Sequence, residues 1–133
     1  MVASNPERPA VVLVDPHEDC RLIYPAILRH AGYDVLLATT VAEARDLLAQ
    51  RRPVAVVAEA RLPDGAAGDL VRALAAVCPN APLPIVIFYA FLPMGERGWL
   101  RAHGAELIET PCAPRRLLNE IQRLASPPPS LAP

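Results

Sequence analysis

The sequence predicts an α/β domain built on an open, doubly wound sheet of five parallel strands. Three observations predict it. Five short apolar runs, rich in β-branched residues, stand at fairly even intervals, and their near-continuous apolar character suits strands buried on both faces. Segments with helical apolar spacing lie between them, and strand–helix alternation five times over implies βαβ units with helices on both faces of the sheet. The chain has 133 residues, 53% hydrophobic and 20% charged, which suits one globular core and leaves no room for a second.

The elements follow in order. The first strand is read at Val11–Val14, and a helix over Glu18–His30 places Leu22, Ile23, Ala26 and Ile27 on one face. Pro25 lacks a backbone donor and is expected to kink that helix. The second strand is Val35–Ala38. The second helix opens on Thr40-Val41-Ala42-Glu43, a capping-box pattern, with Val41, Ala44 and Leu48 facing inward. The third strand, Val54–Ala58, precedes a helix over Asp69–Cys78 with an apolar stripe at Leu70, Val71, Leu74, Val77 and Cys78. The fourth strand is Ile85–Phe88. Its helix, Met94–His103, carries Gly95 and Gly98, each costing about 1 kcal/mol against alanine in a helix interior, so a short or mobile element is expected. Leu107–Ile108 marks the fifth strand. Pro114 opens the last helix, aligning Leu117, Leu118, Ile121 and Leu124. Gly32 and Gly104 stand where the first and fourth helices end, the position that favours a left-handed cap. Residues 1–9 read as an N-terminal extension, 10–125 as the domain and 126–133 as a proline-rich disordered tail.

Composition narrows the function classes. Thirteen basic and fourteen acidic side chains give a net charge of −1, no field that gathers nucleic acid or an anionic membrane. All thirteen basic residues are arginine; the sequence has no lysine. A Walker A loop, a lysine Schiff base and an ammonium at a phosphate site are thereby excluded. Cys20, Cys78 and Cys112 are odd in number and widely spaced, which reads as reduced thiols. With no hydrophobic leader and no long apolar stretch, a cytoplasmic protein is expected.

Ligands and reacting groups in an open parallel sheet gather at the carboxyl ends of the strands. The first strand delivers Asp15-Pro16-His17-Glu18-Asp19 there, the third Glu59-Ala60-Arg61-Leu62-Pro63-Asp64-Gly65, the fourth Tyr89-Ala90 and the fifth Glu109-Thr110-Pro111. VVLVDPHEDCR, AGYDV, VVAEARLPDG, PIVIFYA and HGAELIETP, in this order and with these gaps, resemble the receiver domain of bacterial response regulators. The resemblance covers about 10–124. It implies a flavodoxin-like (CheY-like) sheet of order 2-1-3-4-5 and a place in two-component (phosphorelay) signal transduction.

The family's chemistry, as the resemblance implies it, moves a phosphoryl group from a partner histidine to an aspartate at the end of the third strand. An acidic pair after the first strand binds Mg²⁺ with that aspartate, and a small hydroxyl and a lysine contact the phosphoryl oxygens. Asp15 matches the first acid, but Pro16 holds the second position. Glu59 stands at the phosphoacceptor position, Tyr89 replaces the small hydroxyl and Thr110 the lysine. These departures predict a pseudo-receiver that is not phosphorylated by the usual mechanism, is not an enzyme, and acts by protein–protein interaction. Asp15 and Glu59 would form at most a weak Mg²⁺ site; no other cofactor is expected. Glu59 also supplies a permanent −1 charge, against about −1.5 to −2 on a phosphoryl group. The expected partner is a histidine kinase or a downstream signalling protein, engaged by a monomer or weak homodimer through Arg97, Trp99, Arg101 and Arg115, types favoured at interfaces. His17 and His30 read as a loop residue and a helix-end residue. The alternative is a small cobalamin- or flavin-binding domain of the same architecture, with His17 in a partial DxHxxG loop, although Cys20 stands where that loop needs glycine.

Overall fold

The computed structural model describes residues 7–80 and 82–125. Five strands form the main sheet: β1 (Ala10–Val14), β2 (Asp34–Ala38), β3 (Ala55–Glu59), β6 (Ile85–Tyr89) and β7 (Ala105–Glu109). They are all parallel, in the order β2-β1-β3-β6-β7. A two-residue hairpin, β4 (Arg61–Leu62) with β5 (Gly65–Ala66), sits between β3 and the third helix. Five helices connect the strands: α1 (Glu18–His30), α2 (Val41–Gln50), α3 (Ala67–Val77), α4 (Met94–Ala102) and α5 (Pro114–Ala125). The expected sheet and order are present, and the fifth strand runs five residues rather than the two legible in the sequence. The expected N-terminal extension lies outside the described residues as far as residue 6, and the tail at 126–133 lies outside them altogether.

The sheet divides the core. Val12, Val14, Val56, Ala58, Ile85 and Ile87 pack with α2, α3 and α4 on one side. Val11, Leu13, Ala55, Val57, Val86 and Phe88 pack with α1 and α5 on the other. Every residue of β1 is buried, which is why its sequence shows no alternation.

Three local expectations are corrected. The face of α1 read from Leu22 and Ile23 is the outer one: these side chains are 67% and 53% exposed, while Tyr24, Pro25 and Leu28 are buried. The true stripe, Cys20, Tyr24, Ile27 and Leu28, follows the 3.6-residue period but carries a thiol and a phenol that an aliphatic count overlooks. The helix continues through Pro25. On α3, Val77 is 41% exposed and Cys78 is the cap rather than part of the stripe. The capping box of α2 is half formed. Thr40 Oγ1 accepts from the Glu43 amide at 3.0 Å, but Glu43 accepts from the Thr39 amide at 3.0 Å instead of that of Thr40. Arg51, just past α2, pairs with buried Asp34 at 2.5 Å and also donates to the Arg8 carbonyl. Gly32 and Gly104 adopt φ of 103° and 89° after α1 and α4, the left-handed region that their position in sequence calls for.

Candidate functional site

The parallel register decides which loop residues meet. Val14 pairs with Ala58 across β1 and β3, so Asp15 and Glu59, one step on, lie side by side at the carboxyl edge of the sheet. Glu59 in turn pairs with Phe88 of β6. A cavity of about 370 Å³ opens over these ends, lined by His17, Cys20, Tyr24, Glu59, Phe88, Ala90, Thr110 and Pro111. The peptide bond between Thr110 and Pro111 is cis, and the Thr110 amide donates to the Tyr89 carbonyl at 2.8 Å.

Asp15 is fully buried. Its Oδ1 accepts from the His17 amide at 2.8 Å and lies 2.9 Å from His17 Nδ1. Its Oδ2 is buried with no hydrogen-bond partner. Arg21 donates to the Asp15 backbone carbonyl at 2.8 Å, so that arginine fixes the loop through the main chain. Glu59 is half-buried, and burial raises its carboxyl above the ordinary range. The charge of Asp15 adds to the rise, while His17 and the Ala60 amide act against it. The Cys20 thiol is pushed up to about 11, first by burial and then by the Asp15 carboxylate beside it.

The other positions singled out in the sequence separate. Pro16 is partly buried next to Asp15 and carries no oxygen to offer a cation. Tyr89 is buried, but its side chain packs in the core on the α2–α4 side, with the Arg97 guanidinium 5.1 Å from its ring centre. Arg97 also donates to the Leu92 carbonyl at 2.7 Å. Trp99 is half-buried against the same core, stacked on His103 at 3.9 Å, with Arg72 4.7 Å from its ring centre. Arg101 and Arg115 are exposed on α4 and at the start of α5. His30 lies in the last turn of α1, away from the cavity.

Two residues of this edge were given no site role in sequence. Cys20 enters the cavity from the first turn of α1, three residues after His17, a spacing that puts both on one helix face. Asp64 accepts from the Val41 and Ala42 amides at 2.8 and 3.1 Å, closing the start of α2 from 22 or more positions away, a pairing no local pattern reveals. The three cysteines are free, and no helix among the described residues is long and apolar enough to cross a membrane.

No family model matches this sequence, and no curated protein matches it. Solved structures do. The non-phosphorylated HemR receiver domain from Leptospira biflexa is 28% identical, with a TM-score of 0.81 over 91% of this chain and 97% of that one. The chemotaxis protein CheY4 of Vibrio cholerae is 23% identical, with a TM-score of 0.80 over 88% and 98%. The receiver domain of a sensor histidine kinase from Pseudomonas aeruginosa, described with a magnesium ion coordinated in its active-site cleft, is 22% identical, with a TM-score of 0.79 over 90% and 99%.

Proposed function

The chain carries the CheY-like fold of response-regulator receiver domains, and from that premise we propose that it serves two-component signalling as a receiver that takes no phosphoryl group by the family's route and acts by binding other proteins. The observation that carries this reading is the occupant of the acceptor position. Glu59 ends β3 half-buried beside Asp15. Its carboxyl lies one carbon–carbon bond further out than an aspartate's, about 1.5 Å, and such a displacement of a reacting atom can cost on the order of 10²-fold in rate.

The surroundings compound the loss. Mg²⁺ needs several hard oxygens in a tight octahedron, and Pro16 removes one carboxylate from the set. A unit-charge pair at 4 Å is worth about 4 kcal/mol at an effective dielectric of 20, so that absence weighs heavily on a divalent ion. No lysine or arginine lines the cavity, and Thr110 offers only a hydroxyl; nothing there supplies the cation that steadies a transferring phosphoryl. Tyr89, at the position of the small hydroxyl, is packed in the core under Arg97. A conformation indifferent to phosphorylation follows. Protein contacts fall to exposed side chains, with Arg101 and Arg115 the candidates, since Arg97 and Trp99 already serve internal contacts. A histidine kinase or a downstream signalling protein is the partner class.

Incubation with acetyl phosphate and Mg²⁺, followed by intact mass measurement at neutral pH, tests the reading. No phosphoryl adduct is expected under conditions that label a conventional receiver. A hydrolysable adduct mapping to Glu59 or Asp15 overturns it.

A further inference from the structure

We propose that the carboxyl end of β1 is a binding site for a borderline transition-metal dication of the Zn²⁺ class, held by Asp15, His17 and Cys20. One ligand atom from each of these three residues lies within 4.8 Å of the others. Among the described residues no arginine pairs with the Asp15 carboxylate, which His17 Nδ1 meets at 2.9 Å and which the Cys20 thiol lies beside. Its Oδ1 is already used by the loop, but Oδ2 is fully buried and has no partner. An unpaired carboxylate oxygen taken out of water costs free energy unless a cation or donor meets it, and here the groups beside it are an imidazole and a thiol.

The geometry accommodates an ion. His17 Nδ1 and Asp15 Oδ1 are 2.9 Å apart. The imidazole thus stands against the carboxylate whose other oxygen, Oδ2, has no partner. Cys20 comes from the first turn of α1 and is partly buried, and its sulfur lies within 4.8 Å of the other two ligand atoms. The His17 side chain is 64% exposed. Glu59 or a water completes the shell from the β3 side, where the cavity lies open.

Donor chemistry sets the metal class. Imidazole and thiolate with a single buried carboxylate select Zn²⁺ and its neighbours over Mg²⁺, which wants oxygen alone. On binding, the Cys20 S–H bond gives way to an S–metal bond and its proton passes to buffer, while the proton on His17 Nδ1 is exchanged through solvent for one on Nε2, which frees the Nδ1 lone pair. This site is independent of the signalling role: its failure leaves the argument about Glu59 untouched, and phosphorylation of the chain would not refute it.

The test uses the full chain, stripped with a chelator under reducing conditions and titrated with Co²⁺ as a coloured stand-in for Zn²⁺. Thiolate-to-cobalt absorption rising to one equivalent, bleached by added Zn²⁺ and untouched by millimolar Mg²⁺, is expected. Cys20→Ser should abolish the absorption, and His17→Ala, with its helical circular dichroism checked against the parent, should weaken Zn²⁺ binding by more than about tenfold. Cys78→Ser and Cys112→Ser should bind as the parent does. Absence of the band in the parent, its survival in Cys20→Ser, or unchanged Zn²⁺ affinity in His17→Ala overturns the proposal.

Discussion

At the rim of the sheet, a few side chains carry the proposal that this chain takes no phosphoryl group. Glu59 stands beside Asp15 at the end of β3, Pro16 carries no carboxylate, and Thr110 offers only a hydroxyl; each was readable from its position along the chain. Asp64 was not, because its work is done at a distance. Its carboxylate accepts from the first amides of α2, where the positive end of the helix dipole lies, and these bonds hold its carboxyl below the ordinary range. A carboxyl depressed by folding contributes stability above its unfolded pKa of about 4, and that contribution is lost as pH falls through the lower folded value. Asp64→Asn is therefore expected to melt below the parent at neutral pH, with the gap closing under acid. Thermal melts across that range check it, and a gap that stays constant with pH counts against the assignment.

Among the elements, β1, β3 and β6 were plain in the sequence because buried parallel strands leave unbroken apolar runs. The ends of β7 were hidden by Glu106 and Glu109, which occupy half-buried and exposed places. The β4–β5 hairpin is too short to leave a pattern. In α1 the period was visible but the face was misjudged, since Leu22 and Ile23 outweigh Cys20 and Tyr24 on any aliphatic count. Substitution separates the two faces. Leu28 is fully buried and Leu22 is 67% exposed. Leu28→Ala should cost about 2–5 kcal/mol, whereas Leu22→Ala should stay within about 0.5 kcal/mol, both by denaturant unfolding. Equal costs would return the inner face to Leu22.

Across the whole molecule, two apolar layers share one sheet and neither is closed without it. A domain of this size with such shared packing should unfold in one step. Trp99, the single tryptophan, reports on the α2–α4 layer alone, while far-ultraviolet circular dichroism reports on all the helices. The two urea transitions are expected to superimpose, with a common midpoint and slope. An earlier fluorescence transition would mean that the α3–α4 side loosens by itself.

The central strand gives this arrangement a practical consequence. Val11 and Leu13 point into one layer, Val12 and Val14 into the other, and all four are shut away from solvent. Neighbouring codons in this short stretch therefore address opposite rooms of the house. Trimming Leu13 should disturb the seating of α1 and α5, and trimming Val12 that of α2 and α3, so the strand acts as a party wall through which a disturbance on one floor plan can be heard on the other.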